Sequence, residues 1–298
     1  MAGSGKHDQF IAEFLEQKRI RSHELVSVLD QLKTHKRFIS EWDSSDLDEF
    51  IKSLCAISVS SINRYVKLIR DFHRFVCGKE NIPCRELYLN HQWEYYIDEE
   101  KLLSVTLNKN QYRMLRNRLL ITVNDEEYNY RDKVAVELAW EGLTAGEMKR
   151  IRKDDILDDG SLVIHLKDRN VLIADKETAH DIKMCQVQDQ YVVNQNGFYY
   201  FCQLRDTPYL LRSIKSKPGS KEAVSDLELA FRLAVERQGI SIPGIDIHAL
   251  TLEDIRRSGI IHLFRMGYTL SEVRQHIGYK TEADLYWLEE WARKLADI

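Results

Sequence analysis

Residues 141–156 read EGLTAGEMKRIRKDDI and directly follow the stretch YRDKVAVELAW at 130–140. The earlier stretch has the length and apolar content of a buried helix, and Glu141-Gly142-Leu143 breaks it. A second, short helix is predicted over 145–152, and basic residues gather at its end: Lys149, Arg150, Arg152 and Lys153. This order predicts a buried helix that leads, through a glycine break, into a positively charged surface.

The composition is that of a water-soluble globular protein. Hydrophobic residues make up 44% of the 298 residues and charged residues 30%, which excludes a membrane protein and a disordered chain. A net charge of −4 argues against a protein that coats nucleic acid, but site-specific DNA binding needs only a local basic surface. Because no apolar run reaches membrane length and no signal-peptide core is present, we expect a cytoplasmic protein of a bacterial host, associated with the nucleoid.

The five cysteines do not form a recognisable framework. Cys55, Cys77, Cys84, Cys185 and Cys202 are odd in number and include no CxxC pair. This spacing argues against structural disulfides and against a zinc site, and it favours free thiols in a reducing compartment. We therefore expect no metal and no other cofactor.

The N-terminal third is predicted to be helical. Residues 1–6 are set aside as a candidate remnant of an expression tag, and residues 7–95 form a run of amphipathic helices. The longest follows Ser60 or Ser61 as a cap, ends at Gly78, and buries an apolar face that includes Ile62 and Phe72. Its opposite face carries Arg64, Lys67, Arg70 and Arg74. The conservative interpretation of this basic stripe is a solvated helix face.

The remainder is predicted to be a second, larger domain, α+β and rich in helix. Residues 96–107 form a linker and residues 108–298 the second domain. Short β-branched segments at 161–166 and 170–174 predict one β-hairpin, and residues 191–193 and 198–201 predict another. Helices are expected again over 222–238, 251–266, 270–277 and 282–296. The fold class is therefore mainly α with small hairpin sheets.

Three segments together resemble the tyrosine recombinases, the phage integrase family. Ser58-Val59-Ser60-Ser61-Ile62-Asn63-Arg64 is similar to the family's S-x-x-T-I-N-R helix in its core-binding domain. Residues 141–156 match T-G-L-R-x-x-E-L followed by L-R-W-x-D-I. Residues 251–279 match T-x-H-x-L-R-R-T, L-x-x-x-G and I-x-x-x-L-G-H in register. The resemblance implies a helical core-binding domain followed by a catalytic-type domain. A narrower resemblance is to the lysogeny repressors of SPβ-type phages, which are themselves similar to integrases.

The resemblance also locates the catalytic positions, and several are altered. The family's first catalytic arginine falls on Thr144, and its histidine falls on Glu253. Arg256 takes the place of the second arginine. Tyr279 replaces a His or Trp, Tyr286 aligns with the nucleophile, and Lys167 with the hairpin lysine. His248 precedes the helix and is expected to be a loop residue. The conservative interpretation of Tyr286 is an aromatic on the packed face of the last helix, and that of Arg256 is an ion pair with Glu147 or Glu253.

These substitutions lead us to expect a DNA-binding protein that is not an enzyme. In the family, a tyrosine attacks a phosphodiester while two arginines hold its oxygens, so the loss of a charged donor can cost about 3 kcal/mol in the barrier. We expect a sequence-specific transcriptional regulator, a prophage repressor, without strand cleavage. The alternatives are an active recombinase with a rearranged site, and an accessory factor that binds a recombinase.

The expected partner is double-stranded DNA. A protein or peptide anti-repressor, and a homo-oligomer formed through the C-terminal helix, are further candidates. The expected DNA contacts are polar or basic residues from four segments: Ser60, Ser61, Asn63, Arg64, Lys67, Arg70 and Arg74; Arg150, Arg152 and Lys153; Lys167 and Arg169; Arg256 and Arg257.

The basic helix face gives a first prediction. Arg64 and Lys67 are three residues apart and project from one face, so Arg64→Ala with Lys67→Ala should weaken DNA binding strongly. Each lost phosphate contact should reduce the slope of log K against log salt by about 0.9, so the slope should flatten by up to about two contacts. A binding titration across salt concentrations measures this, and an unchanged affinity and slope would remove the helix from the interface.

Overall fold

The computed structural model describes residues 4–35, 37–89, 93–195, 197–215, 223–282 and 285–296. The chain divides into two compact units, 1–102 and 103–298, and the division falls in the segment assigned to the linker. That segment contains a helix of its own, α5 (Glu99–Ser104). Of the residues set aside as a tag remnant, 4–6 form the first turn of α1, and 1–3 lie outside the described part.

The N-terminal unit is a cluster of helices around an aromatic core. Its helices are α1 (Ser4–Lys18), α2 (His23–Gln31), α3 (Ser44–Ser53) and α4 (Val59–Glu80), with short 3-10 turns at Leu32–Thr34, Ile39–Glu41 and Trp93–Tyr96. Phe14 and Phe72 meet edge to face, with ring centroids 5.1 Å apart, and Trp42 packs on Phe50. These rings pack with buried aliphatic side chains such as Ile11, Leu47 and Ile69 in one apolar core that holds α1, α3 and α4 together.

Helix α4 begins and ends at residues other than those predicted. Ser58 is the N-cap, and its Oγ accepts a hydrogen bond from the Ser61 backbone N–H, so Ser60 and Ser61 already lie inside the helix. Gly78 does not stop the helix, which continues to Glu80 and ends at Asn81 in the left-handed region, with φ of 55°. Asparagine tolerates this conformation, and a glycine three residues earlier remains helical.

The C-terminal unit combines helices with three small antiparallel sheets. Its elements are, in order, α6 (Lys109–Arg118), β1 (Ile121–Val123), β2 (Glu126–Tyr128), α7 (Tyr130–Trp140), α8 (Ala145–Met148), β3 (Ile156–Asp158), β4 (Leu162–His165), β5 (Asn170–Ile173), α9 (Lys176–Val187), β6 (Gln190–Gln195), β7 (Phe198–Gln203), α10 (Leu227–Arg237), α11 (Leu252–Arg265), α12 (Leu270–Ile277) and α13 (Tyr286–Ala296), with a 3-10 turn at Lys153–Asp155. The sheets are β1-β2, β3-β4-β5 and β6-β7.

Both predicted hairpins are confirmed, as are the helices of the last hundred residues, but α10 begins at Leu227 and α13 at Tyr286, later than the predicted 222 and 282. Residues 222, 283 and 284 of those predictions lie outside the described part. Strand β4 pairs with β5 from Leu162↔Ile173 to His165↔Asn170, and β6 pairs with β7 along six residue pairs. The sequence analysis missed the β1-β2 hairpin, strand β3 and the whole of α9. In the described part of the chain, no helix is both long enough and apolar enough to cross a membrane.

Helix α7 is the centre of this unit, and every one of its eleven residues is buried. Four of them have charged side chains, Arg131, Asp132, Lys133 and Glu137, and each has a partner of opposite charge. Arg131 pairs with Asp132, Lys133 Nζ lies 2.7 Å from an Asp181 oxygen, and Glu137 lies 3.5 Å from Arg116. Such pairing is required because an uncompensated charge in this position would be strongly destabilising.

Helix α11 crosses α7 at a glycine. A Cβ atom added to Gly259 would lie 1.9 Å from the Trp140 carbonyl oxygen. The two helices can therefore approach at this point only because position 259 has no side chain.

Gly259→Ala should consequently destabilise the protein by about 3 kcal/mol, because the two helix backbones must separate. The expected change is a fall in melting temperature of roughly 10 °C, measured by thermal denaturation. Gly146→Ala is the matched control, because its added Cβ would meet only the Thr144 Oγ1 at an ordinary 3.9 Å. Equal melting temperatures for the two variants would show that the α7–α11 crossing is not as close as described.

Candidate functional site

The candidate site lies where the segment before α8, the β4-β5 turn, α11 and the end of α12 meet. Arg256 of α11 is buried, and its Nε donates to the Gly142 carbonyl oxygen at 2.9 Å. Its Nη1 donates to Glu253 Oε1 at 3.0 Å and to the Tyr279 hydroxyl at 2.9 Å. Of the two predicted ion pairs for Arg256, the structure contains the one with Glu253.

Thr144 has a structural role in place of the expected arginine. It is the N-cap of α8, and its Oγ1 accepts from the Glu147 backbone N–H at 3.2 Å. Glu147 in turn accepts from the Thr144 backbone N–H at 2.8 Å, which completes a capping box. The side chain at 144 therefore serves the start of α8 and offers no positive charge.

Arg169 brings a guanidinium to the same place from a different segment. It lies at the end of the β4-β5 turn, where Nε donates to Glu147 Oε1 at 3.1 Å and Nη2 donates to the Gly142 carbonyl at 3.4 Å. Its Nη1 donates to the His276 carbonyl. Arg169 and Arg256 thus converge on one acceptor, the Gly142 oxygen. Sequence analysis named Arg169 only as a DNA contact and did not connect it with the missing arginine.

Gly278 makes room for the Arg169 side chain. It ends α12 with φ of 72°, and a Cβ atom there would lie 2.5 Å from Arg169 Cδ and 2.8 Å from Nε. Both the left-handed backbone and the close approach require glycine. Tyr279 follows at once, and its ring lies under the Arg256 guanidinium, 4.8 Å from centroid to Cζ.

The charges in the site respond to burial and to these contacts. Burial alone would raise the pKa of Glu147, but hydrogen bonds from Arg169 and Thr144 outweigh it and lower that pKa. Burial opposes the charge on Arg256, yet Glu253 and Tyr279 raise its pKa. Burial lowers the pKa of His276, and the Arg169 charge lowers it further. Arg256 therefore stays cationic, while the imidazole of His276 favours its neutral form.

The other predicted site residues are distributed over the surface and the core. Lys167 is exposed on the β4-β5 turn, two residues from Arg169. Tyr286 opens α13 and is 54% exposed, so its interpretation as a packed aromatic is wrong; Leu288 and Trp291 form the buried face of α13. His248 is exposed in the loop before α11, as expected. Arg256 and Arg257 are both buried, and each is paired with a carboxylate, Glu253 and Asp254 respectively, so neither belongs to the exposed basic surface.

The remaining basic residues fall into two groups. Arg150 and Arg152 are exposed, whereas Lys153 is half-buried, and burial lowers its pKa. On α4, Asn63 and Lys67 are exposed, but all three arginines of the helix have partners. Arg64 pairs with Glu24, Arg70 Nε donates to the Leu87 carbonyl at 2.6 Å, and Arg74 lies 3.7 Å from Glu86. The basic face of α4 is therefore partly neutralised in the free protein.

Comparison with known proteins finds a sequence match over part of the chain. No protein-family profile matches the chain. Transposase A from transposon Tn554 of Staphylococcus aureus is 25% identical over 194 residues, which cover 61% of this chain and 49% of the transposase. The chain thus matches about half the length of these curated relatives, which come from strains that include Mu50 and N315.

Two solved structures share the fold along most of the chain. The XerH site-specific recombinase in its post-cleavage complex with the palindromic difH substrate has a TM-score of 0.53 and 13% identity, covering 93% of this chain and 78% of that one. The Tn1549 transposon integrase in complex with a circular-intermediate DNA also has a TM-score of 0.53 and 13% identity, covering 94% of each chain. The tyrosine recombinase fold is therefore established, and the expectation of small hairpin sheets in a mainly helical chain is confirmed.

These matches correct one expectation. We predicted from Thr144 and Glu253 that the chain is not an enzyme. That prediction is wrong, because the proteins similar to this chain in sequence or in fold include a transposase, a site-specific recombinase and a transposon integrase. Thr144 offers no charge in this site, but Arg169 brings a guanidinium to the Gly142 carbonyl from the β4-β5 turn.

The ion pair between Glu147 and Arg169 predicts a pH dependence. Since the folded-state pKa of Glu147 is lowered, its contribution to stability is present above the usual carboxyl pKa and is lost as the pH falls through the lowered value. Melting temperatures measured from neutral pH down to about pH 3 should therefore fall more steeply for the parent than for Glu147→Gln. Parallel curves for the two proteins would contradict this assignment.

Proposed function

We propose that this chain binds specific duplex DNA and that Arg169 and Arg256 together hold a backbone phosphate there. The observation that carries the proposal is the convergence of both guanidinium groups on the Gly142 carbonyl, at 3.4 and 2.9 Å. In the described part of the chain, Nη2 of Arg256 has no hydrogen-bond partner, so it is available to a phosphate oxygen. Paired guanidinium groups match the geometry and charge of phosphate.

The reaction that suits such a site is strand transfer. In this proposal the Tyr286 hydroxyl, which is exposed to solvent, gives its proton to water and its oxygen bonds to the phosphorus, while the bond from phosphorus to a deoxyribose oxygen breaks. The departing oxygen then takes a proton, for which Lys167 is the candidate donor. The two arginines offset the negative charge that builds up on the non-bridging oxygens, and each such donor is typically worth about 100-fold or more in rate.

Both units would contribute to DNA recognition. The exposed residues Asn63 and Lys67 are the candidates on α4, and Arg150 and Arg152 are the candidates beyond α8. Phosphate contacts of this kind position a protein on the duplex, whereas contacts to base edges specify the sequence. Arg64 would contribute after its ion pair with Glu24 opens, which lowers its net contribution to binding. We also propose that copies of the chain associate with one another through α13.

A second candidate function is transcriptional regulation from the same bound site, as in a prophage repressor. It is favoured by Glu253, whose carboxylate occupies Nη1 of Arg256 and repels an incoming phosphate. Occupancy of an operator requires recognition of the site and no covalent step. In that case a protein or peptide that competes for the bound surface would act as the anti-repressor.

The test begins with duplex fragments that the protein retains at physiological salt. Each bound site is then prepared with a nick that lets the cleaved end diffuse away, so that a covalent protein–DNA adduct accumulates. We expect an adduct with the parent and none with Tyr286→Phe. Tyr268→Phe is the matched control, because Tyr268 is a similarly exposed tyrosine of the same unit, at 51%.

The arginines are tested with the same substrates. Arg169→Lys keeps the charge but loses the planar fork, so adduct formation should slow by about 100-fold. Arg232→Lys, at an exposed arginine of α10, should leave the rate unchanged. Specific binding without any adduct would reject strand transfer and favour regulation. Equal rates for Arg169→Lys and Arg232→Lys would reject the role of Arg169.

A further inference from the structure

One side-chain cluster of the N-terminal unit lies outside the DNA-binding argument. His73 and Cys77 are one turn apart on α4, and both are 1% exposed. Cys84 follows the left-handed turn at Asn81 and comes back against them. The Cys77 Sγ lies 3.6 Å from His73 Nε2, and the Cys84 Sγ lies 3.3 Å from His73 Nδ1. Two thiols and one imidazole therefore meet at the end of a helix.

The apolar surroundings make it energetically costly to bury the His73 imidazole unless a group stronger than a thiol interacts with it. The neighbouring residues on α4, Ile69, Phe72 and Val76, are fully buried and apolar. In the described part of the chain, the ring nitrogens of His73 contact these two sulfurs and no other polar group. A thiol is a weak donor and a weak acceptor, so it compensates poorly for the loss of water around an imidazole.

The ligand types and distances suit a thiophilic cation. The candidate ligand atoms of the three residues all lie within 4.8 Å of one another. In a tetrahedral zinc site the ligand atoms are about 3.5–3.8 Å apart, as follows from Zn–S and Zn–N bonds of about 2.3 and 2.0 Å. Because the sulfurs now face opposite nitrogens of His73, one ligand must shift to share an ion. Cys84, which is exposed, is the one free to do so.

We propose that His73, Cys77 and Cys84 form a binding site for Zn²⁺, with a fourth position for water or another ligand. The ion would fasten the segment that follows α4 to the end of that helix. That segment carries Glu86 and Leu87, which engage Arg74 and Arg70 of the basic face. A disulfide between Cys77 and Cys84 is the competing use of the thiols, but it gives no role to the histidine between them.

The experiment uses the full, reduced chain and the metal alone. After incubation with Zn²⁺ and desalting, we expect about one zinc per chain, by elemental analysis, and Co²⁺ in its place should give thiolate-to-metal charge-transfer absorption. Cys84→Ser should weaken zinc binding by about 100-fold or more, judged by competition with a chelator. Cys55→Ser, at another exposed cysteine of the same unit, should bind like the parent.

A second measurement separates a site from loosely bound metal. Zinc should raise the melting temperature of the parent and of Cys55→Ser but not that of Cys84→Ser, since a ligand that binds only the folded state stabilises it. The proposal is overturned if the reduced parent retains no zinc, or if Cys84→Ser binds it as tightly as the parent. It is also overturned if unreduced protein contains a Cys77–Cys84 disulfide and the reduced form shows no cobalt absorption.

Discussion

The C-terminal unit depends on the complete burial of one helix. Helix α7 has no solvent-facing side, so α6, α9, α10 and α11 must cover it all round, and the charges of Lys133 and Glu137 are paired from outside. Burial, together with a hydrogen bond to Asp181, raises the pKa of Glu137, and the charges of Lys133 and Arg116 oppose that rise. The Glu137–Arg116 and Lys133–Asp181 contacts therefore fix the positions of α6 and α9 as well as neutralising charge. The end of α7, at Trp140, packs closely against Gly259 of α11, and Glu141 and Gly142 follow it in the chain.

Much of this architecture could be predicted from local pattern. Alternation and β-branched residues located both long hairpins, and helical periodicity located α4, α11 and α12, because these signals depend on residues close in sequence. Helix α9 was missed because its buried face includes the polar residues Thr178 and Asp181, which serve α7 instead of forming an apolar stripe. Its cap, Asp175, was visible in the sequence but had no periodic run behind it.

The candidate site was harder to predict, since its geometry depends on contacts between distant segments. The resemblance placed Thr144 at the position of the first arginine, whereas the guanidinium that reaches the nearby Gly142 carbonyl comes from Arg169, and no local pattern connects the two. Glu147 was the signal in the sequence that could have revealed this contact. Its carboxylate calls for a cationic partner, and Thr144 cannot supply one. The thiol cluster was missed for a related reason: the search was for paired cysteines two residues apart, whereas here a helical turn and a left-handed cap bring His73, Cys77 and Cys84 together.

The place that Arg169 occupies over Gly278 has an evolutionary consequence. Three positions on separate segments act together. Gly142 supplies the carbonyl acceptor, Arg169 supplies the guanidinium, and Gly278, which has no side chain, leaves space for the Arg169 side chain. Their mutational effects must be epistatic, because a side chain at 278 removes the benefit of arginine at 169, whatever stands at 144. Substitutions at 169 and 278 should therefore be non-additive in their effects on stability.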